Sequence, residues 1–146
     1  MFDPPPGFVD FLADNVRAGH HLSGRDVMRA YSEITHLTRA ADAFFADYDL
    51  VVAPVAEVAP FPVDINWPKQ VDGVAMTDYL DWMRSACVVS AMSTPALSVQ
   101  AGFSKSGLPV GVQLVARQGA DALLLRAAYA YEERTRWAQM HPRLGS

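Results

Sequence analysis

The architecture is predicted from the stretch at residues 95–115, which reads PALSVQAGFSKSGLPVGVQLV. This stretch contains two apolar runs that each begin with a proline, and a glycine-containing segment at 102–107 separates them. Short runs rich in β-branched residues and bounded by glycine and proline are typical of strands. We therefore expect Pro95–Val99 and Pro109–Val115 to be two strands of one sheet, joined by a turn.

Helices are predicted on both sides of this strand pair. On the C-terminal side, Gly119 opens a segment that runs to about Trp137, with an apolar face broader than a surface helix needs. On the N-terminal side, Thr77 can cap a helix that runs to about Met92 and carries little charge. We expect this helix, from Thr77 to about Met92, to be largely buried.

A longer helix is predicted further upstream, from Ser23 to about Asp47. Ser23 and Asp26 have the spacing of a helix cap, in which side chains bind the free amides of the first turn. The apolar positions that follow step by three and four, so one face of this helix should be buried. A short entry helix is predicted before it, from Phe8 to Val16.

A third strand, internal to the sheet, is predicted after the long helix. Leu50–Ala53 is a β-branched apolar run, and Pro54 ends it. The segment Ala56–Gly73 contains three prolines and no steady period, which indicates an ordered surface loop anchored by Trp67. Because helices and strands are interspersed, the predicted class is α/β, with part of a mixed sheet flanked by helices.

The composition is that of one globular domain of 146 residues. Twelve basic and 16 acidic residues give a net charge of -4 and form no run of one sign, so direct binding to nucleic acid is not expected. Apolar stretches such as Leu50–Val55 are too short to cross a membrane, which takes about 20 residues. A single cysteine and a first segment without signal-peptide features favour the cytoplasm.

No set of catalytic residues is recognised in the sequence. Ser104-Lys105-Ser106 suggests a serine–lysine pair, but in a glycine-flanked turn the lysine would stay protonated in solvent. Cys87 lies beside valines in a predicted helix and is expected to be buried and unreactive. The four histidines have no second ligand at metal spacing, and the glycines do not open a helix after a strand. Neither a metal nor a cofactor is therefore predicted.

The strand pair at 95–115 resembles the C-terminal hallmark of the amidase signature family. Further likenesses follow in the family's order: LSGRD at 22–26, FFADYDLVVAP at 44–54, DYLDWM at 78–83 and the helix at 123–133. The segment 78–83 is similar to a pocket-side helix in one bacterial branch. This resemblance implies that residues 1–146 are a C-terminal fragment of an amidase-signature domain, whose fold is a large mixed sheet covered by helices.

The resemblance also implies a chemistry. Members of the family hydrolyse or transfer amide groups with a serine nucleophile, a second serine after a cis peptide bond, and a lysine that relays protons. All three residues lie in segments N-terminal to the part that this chain resembles. No catalytic residue is therefore carried over to this sequence, and the chain by itself is expected to be inactive on small-molecule amides.

Four residues are candidates for the substrate pocket: Trp82, Met83, Ala86 and Cys87. In relatives, the helix before Pro95 borders the pocket for the acyl group. Met83 and Cys87 lie one turn apart on one helix face, with the other two beside them. The alternative is that all four are ordinary core residues.

Two functions follow from these patterns. The first is an amidase that converts a carboxamide to acid and ammonia through an acyl-enzyme. The second is a non-catalytic binding or oligomerisation module derived from the same fold. In both cases, a fragment of a sheet leaves an edge without its neighbour, and exposed edges invite pairing with another chain. Self-association through a sheet edge is therefore expected.

Overall fold

The computed structural model describes residues 10–140. The helices are α1 (Asp10–Gly19), α2 (Gly24–Phe44), α3 (Arg84–Ala91) and α4 (Asp121–Thr135), and the strands are β1 (Leu50–Pro54), β2 (Gln70–Val71), β3 (Val74–Ala75), β4 (Ala96–Phe103) and β5 (Pro109–Ala116). Single 3-10 turns precede α3 at Asp81–Met83 and follow α4 at Trp137–Gln139. The predicted α/β class is confirmed. No helix within residues 10–140 is long and apolar enough to span a membrane.

The main sheet has the strand order β1-β5-β4. Both neighbours run antiparallel to β5: Leu97 of β4 and Val52 of β1 lie on opposite sides of Leu114. The predicted strand pair is therefore confirmed. β4 is longer than expected, because a bulge between Gln100 and Gly102 lets pairing continue.

β1 differs from its predicted place inside the sheet. Within the described part of the chain, β1 pairs only with β5, so it is an outer strand. Its middle residue, Val52, is 64% exposed. An apolar, β-branched run is the pattern of a strand covered on both faces, and here the cover on one side is missing from the described residues.

Helices pack against both faces of the main sheet. On one face, a cluster of apolar side chains from β4, β5 and α4 forms the larger part of the core: Val99, Leu114, Ala116, Ala120, Leu124 and Ala128. On the other face, Val115, which is fully buried, packs with Ala41, Phe45 and Val89 of α2 and α3 and their borders. Neighbouring residues of β5 thus serve opposite faces, as the alternation of side chains along a strand requires.

α2 begins where the sequence predicts. Asp26 N donates to Ser23 Oγ at 3.2 Å, and Ser23 N donates to Asp26 Oδ2 at 3.0 Å, which completes a capping box. The predicted burial of one whole helix face is wrong. Only the second half reaches the sheet, through Ala41, whereas the side chains at 27–36 are exposed and Tyr31 is 63% exposed.

The segment predicted as one helix from Thr77 to Met92 has two parts. Residues 77–80 are irregular, because the Asp81 carboxylate accepts hydrogen bonds from Thr77 N at 2.8 Å and from Thr77 Oγ1 at 2.5 Å. Such local side-chain contacts compete with helix formation. The predicted burial of this helix is also wrong: Val89 is the buried residue of α3, since the helix touches the core along one narrow side.

A small hairpin lies in the stretch predicted to be a loop. Val71 of β2 pairs with Val74 of β3 across Asp72 and Gly73, whose φ angles are 46° and 80°. Two consecutive positive φ values define a type I′ turn, for which Asp-Gly is a favoured sequence. The signal is therefore present in the sequence, and the expectation of an ordered surface loop up to Gly73 overlooks it.

The remaining helices agree with the sequence apart from their ends. α4 ends at Thr135 because Arg136 adopts φ 56°, a left-handed conformation that terminates a helix. α1 covers 10–19, and residues 8 and 9 of the predicted entry helix lie outside the described residues. Trp67 is half-buried, and the ammonium group of Lys69 lies 3.1 Å from its ring centre.

Candidate functional site

A cleft of about 400 Å³ lies where the end of β1, the start of β5 and the segment before α3 meet. Its walls are formed by Val55, Ala56, Glu57, Val58, Ala59, Pro60, Phe61, Trp82, Pro109, Val110 and Gly111. Every lining side chain is apolar except that of Glu57. A concave, mostly apolar space of this size suits part of a small organic ligand.

The wall that follows β1 is attached to the centre of the sheet. Gln113 of β5 is 6% exposed, and its Nε2 donates to the carbonyl oxygen of Pro54 at 2.8 Å. Pro54 is the last residue of β1, where the ladder with β5 ends. The side-chain amide therefore holds the chain in place as it leaves the sheet and enters the cleft wall.

The same wall is attached to α3. Glu57 Oε1 accepts a hydrogen bond of 2.7 Å from the main-chain N–H of Ser85, in the first turn of the helix. The first N–H groups of a helix have no partner within it, and the helix dipole favours a carboxylate there. Glu57 thus caps α3 from a distant part of the chain, 28 residues away.

Trp82 forms the aromatic wall of the cleft. Its ring meets Phe61 edge to face at 5.7 Å between centroids, and it meets Tyr79 in the same way at 5.9 Å. The indole N–H of Trp82 and the hydroxyl of Ser85 are both buried without a hydrogen-bond partner. Each unpaired buried polar group costs about 1–3 kcal/mol. This wall is therefore well packed, but the described residues leave these two polar groups without hydrogen-bond partners.

Gly111 allows β5 to approach β4 and the residue that follows β1 closely at the cleft. A Cβ atom at this position would lie 3.1 Å from Val55 Cγ1 and 3.3 Å from Ser98 Oγ. Both distances are shorter than ordinary van der Waals contact, so any side chain would push its neighbours apart. The width of the cleft beside β5 depends on this glycine.

One of the four predicted pocket residues lines this cleft. Trp82 lines the cleft, whereas Met83, Ala86 and Cys87 are not among its lining residues. Met83 and Ala86 are half-buried, and Cys87 is exposed. The predicted burial of Cys87 is wrong because α3 turns Val89 to the core, and a residue two positions earlier points about 200° away.

Sequence reasoning missed the rest of the cleft. Glu57 and Phe61 belong to the segment that was expected to be a surface loop, and both line the cleft. One signal for Glu57 is present in the sequence: it is the one charged residue between Leu50 and Val63. An isolated carboxylate in an apolar run needs a specific partner when it is buried.

The serine and lysine at 104–106 have a structural role. Ser104 Oγ lies 2.8 Å from Ser106 Oγ and accepts a hydrogen bond of 3.1 Å from Leu108 N, which closes the turn between β4 and β5. Lys105 is exposed, as predicted. Within residues 10–140, no group of three or more histidine, cysteine, aspartate or glutamate side chains is arranged to hold a metal ion.

The carboxyl of Asp81, one residue before Trp82, is the group near the cleft with a clearly shifted pKa. Hydrogen bonds from the side chain and main chain of Thr77, and then one from Arg84, lower the pKa of Asp81 to about 2. Arg84 Nη2 lies 3.0 Å from Asp81 Oδ1. The aspartate therefore remains ionised and fixes the turn that leads into α3.

A second concave surface lies on the exposed half of α2. This groove of about 370 Å³ is lined by Leu22, Asp26, Val27, Arg29, Ala30, Tyr31, Glu33 and Ile34. The floor of this groove is apolar, although the groove lies on the outer surface of the described chain. Contiguous apolar surface of this kind marks a place where another part of a protein packs.

Comparisons of the sequence give one consistent result. The family model described as Amidase matches residues 9–125. An acylamidase of Rhodococcus erythropolis is 34% identical over 134 residues, which are 91% of this chain and 28% of that protein. One subunit of the glutamyl-tRNA(Gln) amidotransferase of Moorella thermoacetica is 35% identical over 120 residues, which are 81% of this chain and 23% of that protein. The chain thus spans about a quarter of the length of these relatives.

The fold gives the same result. The crystal structure of a bacterial aryl acylamidase, which belongs to the amidase signature enzymes, superimposes with a TM-score of 0.77 at 24% sequence identity. The superposition covers 89% of this chain and 27% of that one. The arrangement of sheet and helices is therefore shared with this structure.

Proposed function

Because the chain belongs to the amidase signature family, we propose that it is the C-terminal part of an amidase-type hydrolase that cleaves carboxamide C–N bonds. The observation that carries the proposal is the family match over residues 9–125, which contains the whole main sheet and both sides of the cleft. The reaction would give an acid and ammonia or an amine through an acyl-enzyme.

The groups that perform the reaction would come from a segment N-terminal to this part. Acyl transfer needs a nucleophile, a base and donors for the oxyanion in one place. Ser104 is occupied in a turn, and its neighbour Lys105 is exposed to solvent. We therefore expect the 146-residue chain by itself to show no amidase activity above background.

The cleft beside Trp82 is the proposed site for the apolar part of the amide. The rings of Trp82 and Phe61 offer an aromatic surface, and the remaining walls are aliphatic apart from Glu57. Met83, Ala86 and Cys87 continue along the same segment, and their proposed place is the outer border of this pocket. An aryl or alkyl amide fits this lining better than a charged one, since a buried charge requires a partner.

Surface area supports the proposal that more polypeptide packs on this part. The chain exposes 10,994 Å², whereas a compact monomer of 16.0 kDa exposes roughly 7,400 Å². Fifteen residues lie outside the described range, and they can be counted with the full surface of an unfolded chain. The remaining residues then still expose roughly 1,800 Å² more than a compact monomer of their mass. One partner contributes about 800 Å² to a standard interface. The excess is therefore large enough for an extensive interface.

In the chain alone, we propose that this surface leads to self-association. The outer edges of β1 and β4 have no pairing strand among the described residues, and Val52 on β1 is 64% exposed. An edge of this kind can pair with the edge of a second copy. The exposed thiol of Cys87 is consistent with a reducing compartment such as the cytoplasm.

The second candidate function is a non-catalytic binding or oligomerisation module. The observation that favours it is the apolar groove on α2, which would serve a partner chain as well as it would serve the rest of an amidase. The two functions differ in what happens when a segment with the family's catalytic residues is supplied. Only the amidase proposal predicts turnover in that case.

The decisive experiment is a chimera. The part of the Rhodococcus erythropolis acylamidase that matches this chain is replaced by residues 1–146, and release of ammonia or amine is measured on a panel of aryl and alkyl amides. We expect turnover by the chimera and none by the isolated chain. A chimera that also lacks the acylamidase's nucleophile is the matched control.

Two outcomes would contradict the proposal. A folded chimera without activity on any amide, together with a stable dimer of the isolated chain, would favour the non-catalytic module. Turnover by the isolated chain, with labelling of one of its own serines by a fluorophosphonate, would show that a nucleophile is present here after all.

A further inference from the structure

Two hydrogen bonds between distant parts of the chain hold the wall that follows β1. Gln113 binds the carbonyl of Pro54 from a position 59 residues away, and Glu57 binds the amide of Ser85 from a position 28 residues away. The first bond ties the wall to the sheet, and the second ties it to α3. The two attachment points on the wall are only three residues apart, so this short segment joins two different layers of the fold.

The bond between Glu57 and Ser85 connects the two aromatic sides of the cleft. Phe61 follows Glu57 by four residues, and Trp82 precedes Ser85 by three, which is about one helical turn. The Phe61 and Trp82 rings, which both line the cleft, contact each other edge to face at an interplanar angle of 83°. A change in the distance between Glu57 and Ser85 would therefore move these rings relative to each other.

The geometry of Glu57 indicates that its carboxylate acts on the protein. Its Oε1 already accepts the 2.7 Å bond from Ser85 N, at a helix end where a carboxylate is favoured. Glu57 is the one charged residue among those that line the cleft, and the indole N–H of Trp82, the other polar side-chain group of the lining, has no partner among the described residues. What Glu57 supplies is a directional bond that fixes the position of its own segment relative to α3.

We propose that Glu57 is the positioning residue of the cleft: by capping α3, it fixes the position of the Phe61 segment relative to Trp82, so that an apolar ligand enters a preformed cleft. The identity of that ligand rests on the proposed function, whereas the positioning role of Glu57 does not depend on it. Fixing a cleft in advance removes the cost of ordering it on binding, which is a general source of affinity.

The test uses the 146-residue chain labelled with 5-fluorotryptophan, which places one fluorine on each of Trp67, Trp82 and Trp137. The fluorine resonances are assigned by replacing one tryptophan at a time with phenylalanine. Acetanilide, a neutral aryl amide, is then titrated, and the shift of the Trp82 resonance gives a dissociation constant. Trp137, which packs on Phe103 of β4 and is not among the residues that line the cleft, is the internal reference.

The Glu57 variants separate geometry from charge. Glu57→Ala removes the acceptor and Glu57→Asp withdraws it by one methylene group, so both should shift the Trp82 resonance and weaken acetanilide binding at least tenfold. Glu57→Gln keeps an oxygen at the same distance and should stay within about threefold of the natural chain. Asp42→Ala, at an exposed position of α2 outside the groove, is the matched control and should change neither signal.

Three results would overturn the inference. The first is a Trp82 resonance and an acetanilide affinity that Glu57→Ala leaves unchanged. The second is the joint collapse of all three tryptophan resonances in Glu57→Ala and Glu57→Asp, which would make Glu57 a general stability residue. The third is Glu57→Gln behaving like Glu57→Ala. If acetanilide shifts no resonance of the natural chain, the substrate assignment of the cleft fails, while the response of Trp82 to Glu57→Ala still decides the positioning role.

Discussion

Gln113, near the middle of β5, donates a hydrogen bond of 2.8 Å to the carbonyl oxygen of Pro54 at the end of β1. Its side chain is almost fully buried, and its main chain pairs with Ala53 on one side and Ser98 on the other. One residue therefore joins all three strands of the main sheet and also carries the first segment of the cleft wall.

Replacing this amide should destabilise the fold. Gln113→Leu retains the apolar volume but leaves the Pro54 carbonyl without its donor, so we expect the free energy of unfolding to fall by about 1–3 kcal/mol. Urea denaturation followed by far-ultraviolet circular dichroism measures the change. Gln100→Leu, at a half-buried position on β4, is the control and should cost less. An equal decrease in the free energy of unfolding in the two variants would show that the bond to Pro54 does not contribute specifically to stability.

Ser93 offers a stabilising substitution. It lies between α3 and β4 with φ 58°, a left-handed conformation that is unfavourable for residues other than glycine. Ser93→Gly should relieve this strain and raise the free energy of unfolding by about 0.5–1 kcal/mol. Ser90→Gly, at an exposed position in the last turn of α3, should lower it by about 0.5 kcal/mol or less, because glycine has a lower helix propensity than serine. The same sign for both variants in thermal melts would contradict this account.

Cys87 should react in the native protein. Its side chain is exposed on α3, so a thiol reagent needs no opening of the structure. We expect Ellman's reagent to label the native chain at a rate within about tenfold of the denatured chain, as for an accessible thiol. Cys87→Ser gives the background. A native rate several orders of magnitude slower would mean that Cys87 is covered, for instance by a second copy of the chain, and dilution would then restore the rate.

Stability at acid pH should depend on Asp81. Hydrogen bonds from Thr77 and Arg84 lower the pKa of this carboxyl from its ordinary 3.8 to about 2 in the folded chain. Because the folded-state pKa is the lower one, the contribution is present above pH 4 and is lost as the pH falls towards 2. Asp81→Asn should remove this dependence, so that stability falls less steeply between pH 4 and 2 than in the natural chain.

Chemical denaturation at several pH values checks the role of Asp81. Asp64→Asn, at an exposed position of the loop before β2, is the matched control and should follow the natural chain. Asp26, whose pKa is lowered by hydrogen bonds from the Ser23 side chain and main chain, should also lose its contribution to stability when acid protonates it. An unchanged slope in Asp81→Asn would mean that the bonds to Thr77 do not favour the ionised carboxyl.

Local patterns were enough to predict most of the secondary structure. The start of α2 depends on Ser23 and Asp26, which are three residues apart, and the structure has the predicted capping box. The strand pair β4 and β5 is joined by one short turn, so its pairing also depends on neighbouring residues. The type I′ turn at Asp72–Gly73 was equally local and was overlooked.

The cleft could not be predicted in the same way. Glu57 meets Ser85, and Gln113 meets Pro54, only after separate segments have packed on the two sides of the sheet. No period or spacing within one segment encodes such a contact. Of the predicted pocket residues, Trp82 alone lines the cleft; it lies in the 3-10 turn before α3, and the three residues that follow it are not among the lining residues.

By itself, the sequence determined which segments are helices and strands and to which family they belong, since capping, turn chemistry and apolar alternation act over a few residues. Burial was left to the tertiary arrangement. Val27 and Ala41 are both apolar residues of α2, yet only Ala41 lies over β5 and is buried. A periodic pattern states which residues share a face, whereas the packing of distant segments decides whether anything covers that face.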